Sequence, residues 1–129
     1  MARRASDRPT EAELEILQVL WTAGASSVRE VNQALNRRRT TGTTTTLKLM
    51  QIMLYKGLLR RDTSTRPQTY EAAVSRQKAQ RQFVRDMLDR VFEGSASQLV
   101  MQVLSAGRAT PEEMDEIRRL LREHGKGTS

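Results

Sequence analysis

The chain is 129 residues long, carries 22 lysines and arginines against 15 aspartates and glutamates, and has a formal net charge of +7. This length accommodates one compact domain, or a smaller domain with an appendage that needs a partner, and not two independent cores. There is no cysteine, and the single histidine, His124, sits in a polar stretch beside Arg122 and Glu123, so disulfides, thiolate chemistry and the usual zinc or copper sites are excluded and neither metal nor cofactor is expected.

The opening MARRASDRPTEAE has basic residues with no apolar stretch behind them, and no segment approaches the roughly eighteen consecutive apolar residues of a membrane span. A cytoplasmic protein without membrane insertion is expected. Arg3 and Arg4 fit an arm that enters a minor groove. Three later segments open with a hydroxyl residue followed three positions on by glutamate, which satisfies the orphan amide donors of a helix start: Thr10 with Glu13, Ser27 with Glu30, and Thr110 with Glu113. The first begins a helix with Leu14, Leu17, Leu20 and Trp21 on one side and Gly24 suited to its end. Trp21 continues that face and is expected in the core. The second is short, gathers Val28, Val31 and Leu35, and breaks at the basic run Asn36 to Arg39.

A third helix is predicted from the threonine run near Thr43 to Lys56 and Gly57. Successive threonines are poor helix formers, tolerable only at the beginning, where hydroxyls cap and point outward. Thr46, Leu49, Met50 and Met53 fall on one side, while Thr44, Lys48, Gln51 and Tyr55 recur on the other, so one face can pack and the other stays free for a ligand. Leu58 to Asp62 and Gln68 to Ala72 then read as two strands about the turn Thr63 to Pro67. Helix, helix, helix, hairpin is the winged-helix order, in which the second and third helices form a helix-turn-helix and the later one enters the major groove. From Arg37 to Arg66 eight basic residues stand against a single acid, Asp62. That stretch carries the equivalent of the whole net charge, as an electrostatic footprint for nucleic acid would.

After Ala73 the character changes. Ser75 to Phe92 is a highly charged helical stretch with a seam of Ala79, Phe83, Met87, Leu88 and Val91, ended by Gly94. Ser97 to Ala106 bears Leu99, Val100, Val103 and Leu104, and a last helix, framed by Pro111 and by Gly125 and Gly127, bears Met114, Ile117, Leu120 and Leu121. Three short helices with few aromatics make a thin core, and a second copy of the same region is the simplest cover for their stripes. The alternative is that they fold back on the N-terminal part of their own chain. The expected fold is therefore mainly α with a small β-hairpin: a winged helix-turn-helix domain over residues 1–74 and a helical dimerisation region over 75–129. Met87, Val91, Phe92, Leu99, Val100, Val103, Leu104, Ile117, Leu120 and Leu121 are the residues expected between subunits.

The segment TTTTLKLMQIMLYKGLLRRD, with Arg66 and Tyr70 in the hairpin, resembles the penicillinase-repressor family, also called BlaI/MecI. TEAELEILQVLW, GSASQLVMQVLS and PEEMDEIRRLL are similar to that family's first helix and dimerisation helices, so the resemblance covers nearly the whole chain. It implies a homodimeric transcriptional repressor on a two-fold-related double-stranded DNA operator, with a membrane sensor protease as the partner that ends repression. In the antibiotic-resistance members the cut lies in the dimerisation region, at a place matching Gln102-Val103, where the residues here differ. The copper-responsive relatives sense metal through C-terminal cysteines, which this chain lacks. The wing departs too, with Thr65 and Pro67 where relatives often carry a glycine-containing turn.

Thr44, Thr45, Lys48 and Gln51 are expected to touch bases or groove, because short hydroxyls near the helix start approach phosphates and thymine methyls while Lys48 and Gln51 reach base edges. Arg37, Arg38, Arg39, Thr43, Tyr55 and Arg66 are expected on the DNA backbone, fixing register without reading sequence. Two rival functions remain: a winged-helix module that takes RNA or a protein partner, and an enzyme. The second lacks any nucleophile paired with a base, so no catalytic residue is expected.

Overall fold

The structure, a computed structural model, describes residues 9–127. They form helices α1 (Glu11–Ala23), α2 (Val28–Leu35) and α3 (Thr43–Lys56), strands β1 (Leu59–Asp62) and β2 (Thr69–Ala72), and helices α4 (Arg76–Arg90), α5 (Ala96–Ser105) and α6 (Pro111–Gly127). This is the expected architecture, a winged helix-turn-helix followed by a helical region. Arg3 and Arg4 lie outside the described residues. Gly125 does not stop the last helix, which runs through it to Gly127. The chain divides between Arg81 and Gln82 into two compact units.

In the first unit, local chemistry sets the helix starts. Thr10 N donates to Glu13 Oε1 at 3.0 Å and Glu13 N to Thr10 Oγ1 at 3.2 Å, and Ser27 and Glu30 exchange the same pair of bonds at 2.8 and 3.1 Å. The core gathers Ile16, Leu17 and Leu20 from α1, Val31 and Leu35 from α2, Met50 and Met53 from α3, and Leu58, Leu59 and Tyr70 around the hairpin. The strands pair antiparallel from Leu59 opposite Ala72 to Asp62 opposite Thr69. A further bridge fastens the hairpin to the α1–α2 linker, with Ser26 N donating to Tyr70 O at 3.0 Å and Tyr70 N to Ser26 O at 2.8 Å.

Two polar contacts fix helices in this unit. Glu13 is 2% exposed, and it shares the helical spacing of Ile16, Leu17 and Leu20 because Lys56 Nζ, at the far end of α3, lies 2.8 Å from its Oε1. Trp21 is half-buried as part of the core's edge, donates from Nε1 to Val74 O at 2.9 Å, and has the Arg76 guanidinium 5.6 Å from its ring centroid. Ala79, one turn further along α4, is 1% exposed. Trp21→Phe keeps most of the ring packing and strands the Val74 carbonyl, so a loss of about 1 kcal/mol is expected. Urea melts followed by circular dichroism check it.

The second unit has a different balance. Ser95 caps α5, with Gln98 N donating to its Oγ at 3.2 Å, and Thr110 and Glu113 form a capping box at α6 with bonds of 2.9 and 3.1 Å. No residue from Gln82 through Gly125 is buried. Its apolar side chains are half-buried or exposed, and a thin core of that kind leaves hydrophobic surface to be covered.

Candidate nucleic-acid interface

The face of α3 that points away from the core is assembled by sequence period alone. Thr46, Met50 and Met53 are all 0% exposed, which seats the helix rigidly on the core. On the opposite side Thr44, Lys48, Gln51 and Tyr55 are exposed, and Thr43 and Thr45 flank them at the first turn. Tyr55 is 94% exposed, as a side chain with no role in packing. No acidic residue occurs on α3. Its N-cap is Gly42 and makes no side-chain cap bond, whereas α1 and α2 begin with capping boxes and first-turn glutamates. The first amides of α3 and the positive end of its dipole are therefore left without a carboxylate, beside three exposed threonine hydroxyls, an arrangement suited to phosphate.

The basic residues around this helix separate into groups. Arg37 and Arg38 line a shallow groove of about 580 Å³ with α1 residues including Glu15, Gln18 and Thr22, and no residue of α3 lines it. Arg39 is ion-paired with Glu15. Three of the four arginines expected on phosphate are thus gathered against α1, not on the outward row of α3. In the hairpin, Arg66 is exposed in the turn. Arg60 Nε pairs with Glu71 at 3.0 Å, while the adjacent Arg61 is exposed and points to the other side of the strand. Ser64 donates to the Asp62 carboxylate from Oγ at 2.5 Å and from N at 2.9 Å, holding its pKa below the usual 3.8. These bonds stabilise the turn above that value and are lost as acid takes the pH through the lowered one.

Sequence reasoning passed over two residues that this geometry adds. Ile52 is 43% exposed on α3, next to Gln51 and one turn beyond Lys48, where an aliphatic side chain can meet thymine methyls. Arg61 is the second. The signal for Ile52 was its offset of four from Lys48, obscured because the apolar residues of α3 occupy more than one face.

The second unit presents the other half of the candidate machinery. Val91, Met101 and Leu121 are 66%, 62% and 64% exposed. Met87, Val100, Val103, Leu104 and Leu120 are also exposed, while Phe92, Leu99 and Ile117 are half-buried. Val100, Met101 and Leu104 join Leu121 and the small residues Ala96, Ser97 and Ser105 around an open cavity of about 630 Å³. Met101 was absent from the expected seam, yet it falls on the stripe Ser97, Val100, Met101, Leu104 at helical spacing. Among the described residues no group of His, Cys, Asp and Glu could hold a metal ion, and no helix is long and apolar enough to cross a membrane.

Comparison with known proteins adds two findings. The sequence model of the family described as "Penicillinase repressor" matches residues 9–123. The penicillinase repressor of Bacillus licheniformis is 24% identical over 115 residues, covering 89% of this chain and 90% of that protein.

Proposed function

The chain belongs to the penicillinase repressor family, and from that premise we propose that it is a cytoplasmic, DNA-binding transcriptional repressor that acts as a homodimer on a two-fold-related operator. The observation that carries the reading is the exposed row Thr44, Lys48, Gln51 and Tyr55, backed by a face of α3 with no exposed atoms at Thr46, Met50 and Met53. A helix with such an exposed face matches the width of the B-DNA major groove, whereas the deep, narrow major groove of double-stranded RNA would not admit it. Residues 1–74 supply the groove-reading domain and residues 75–129 the dimer, with the contacts between subunits made beyond Arg81, since the start of α4 belongs to the first unit. Release by a sensor protease cutting in the second unit belongs to the same reading: Gln102 and Val103 are exposed on α5. A shortened chain on immunoblots of induced cells checks that part.

Binding by this face rests on counterion release. A dimer that neutralises about six to ten phosphates gives a log-log salt slope of about −5 to −9, and a slope near zero would remove the face from consideration. Gln51→Ala should cost about 1–3 kcal/mol at one base pair and relax specificity there. Arg66→Ala should weaken all duplexes alike and make the slope shallower by about one for each phosphate left unneutralised. Equal losses on every sequence for both variants would mean that Gln51 does not read bases.

A further inference from the structure

Past the backbone bonds that turn the chain at Arg37, Arg38 and Arg39, the connection from α2 to α3 is held by side chains at Thr41 and Gly42. Asn32 is 9% exposed and lies under the N-terminal turn of α3. With its amide nitrogen toward the turn it donates to Thr41 O at 3.0 Å and Gly42 O at 3.2 Å and lies 2.6 Å from Thr46 Oγ1, while its oxygen accepts from Asn36 Nδ2 at 3.1 Å. That orientation is assigned from the neighbours: reversed, the oxygen accepts from Thr46 Oγ1 at 2.6 Å and the nitrogen donates to Thr43 Oγ1 at 3.3 Å, but the oxygen then faces the carbonyls of Thr41 and Gly42. Asn36 closes the loop from the other side: its Oδ1 accepts from Thr41 N at 2.7 Å and its Nδ2 donates to Thr41 O at 3.0 Å. Two asparagine amides thus grip the peptide groups of Thr41 and Gly42, immediately before the exposed Thr43, Thr44 and Thr45.

We infer that Asn32 and Asn36 are positioning residues for sequence discrimination: their amides fix the register of the first turn of α3 against α2, and through it the place of Thr44, Thr45, Lys48 and Gln51 in the groove. The inference rests on the reading of α3 as the groove-entering helix. Asn32 is too deeply buried to reach DNA, so it acts only through the turn. A buried amide that meets only backbone carbonyls, a hydroxyl and a second amide adds little as apolar packing, and it specifies one arrangement of the turn because its partners lose their hydrogen bonds in any other. Phosphate contacts tolerate a shift of α3 because their attraction is long-ranged, whereas base-edge hydrogen bonds weaken steeply with misalignment.

The test uses the intact chain, the duplex it selects from a random pool, and an unrelated duplex of equal length. Asn32→Leu removes the buried amide at similar volume. Asn36→Ala removes the outer clip at an exposed position, where the fold survives even if Asn32→Leu does not. Well below their melting midpoints, the variants should bind the unrelated duplex as the parent does, with the same salt slope, and lose about tenfold in the ratio of selected to unrelated affinity. Equal losses on both duplexes, or an unchanged ratio, would overturn the inference while leaving the DNA reading intact. A parent chain that enriches no duplex at all would overturn both.

Discussion

Leu121→Glu is expected to leave each chain folded, abolish dimerisation, and lower operator affinity by about 10²–10⁴-fold, the loss of effective concentration when two half-site modules are no longer tethered. Leu121 is 64% exposed in the single chain, so a carboxylate there meets water and costs the monomer little. In a dimer that covers the cavity of Val100, Met101, Leu104 and Leu121, the same carboxylate would be stripped of water without a partner, which the assembly cannot offset. Sedimentation at micromolar concentration reads the first effect and duplex titration the second. A variant that remains dimeric with unchanged affinity would place the dimer contact elsewhere.

Lys56→Met should destabilise the first unit by about 3–5 kcal/mol, because it strands the Glu13 carboxylate in the core. The side chains are 13% and 3% exposed at Lys56 and Glu13, far from the solvated regime in which an ion pair is worth less than about 1 kcal/mol. Against a usual domain stability of about 5–15 kcal/mol, such a loss brings the unit close to unfolding. Glu13→Leu combined with Lys56→Met should recover most of it, since removing both charges leaves neither to be desolvated. Denaturant melts followed by the fluorescence of Trp21, the single tryptophan, decide this. A loss below about 1 kcal/mol in the single variant would mean that water reaches the pair.

What could be read from the sequence was what depends on neighbours in the chain. The capping boxes at Thr10, Ser27 and Thr110 are i to i+3 pairs, and all three stand where expected. On α3 the packed set Thr46, Met50 and Met53 and the free set Thr44, Lys48, Gln51 and Tyr55 follow from the helical period. What escaped depends on distant partners. The buried face of α1 is Glu13, Ile16, Leu17 and Leu20. The expected face centred on Leu14, Leu17, Leu20 and Trp21 is rotated from it, because a glutamate at a core position makes sense only once Lys56, 43 residues later, is seen beside it. The Ser26–Tyr70 bridge joins a linker to a strand without any local signal. Strand alternation says that Arg60 and Arg61 face opposite ways, but only the Glu71 pairing tells which guanidinium is engaged. Arg37, Arg38 and Arg39 look alike as a basic run, and the groove along α1 and the Glu15 ion pair separate them from the outward row of α3. Asn36 looked like a helix breaker, and its grip on Thr41 needs the loop to close before it can be seen.

Selection of duplexes from a random pool by the intact chain tests most directly whether α3 reads DNA within a dimer. The expected result is enrichment of two half-sites related by a two-fold axis, with centres a whole number of helical turns apart and affinity lost when either half is scrambled. Recovery of no preferred sequence, or a preference for RNA over every duplex, would contradict it.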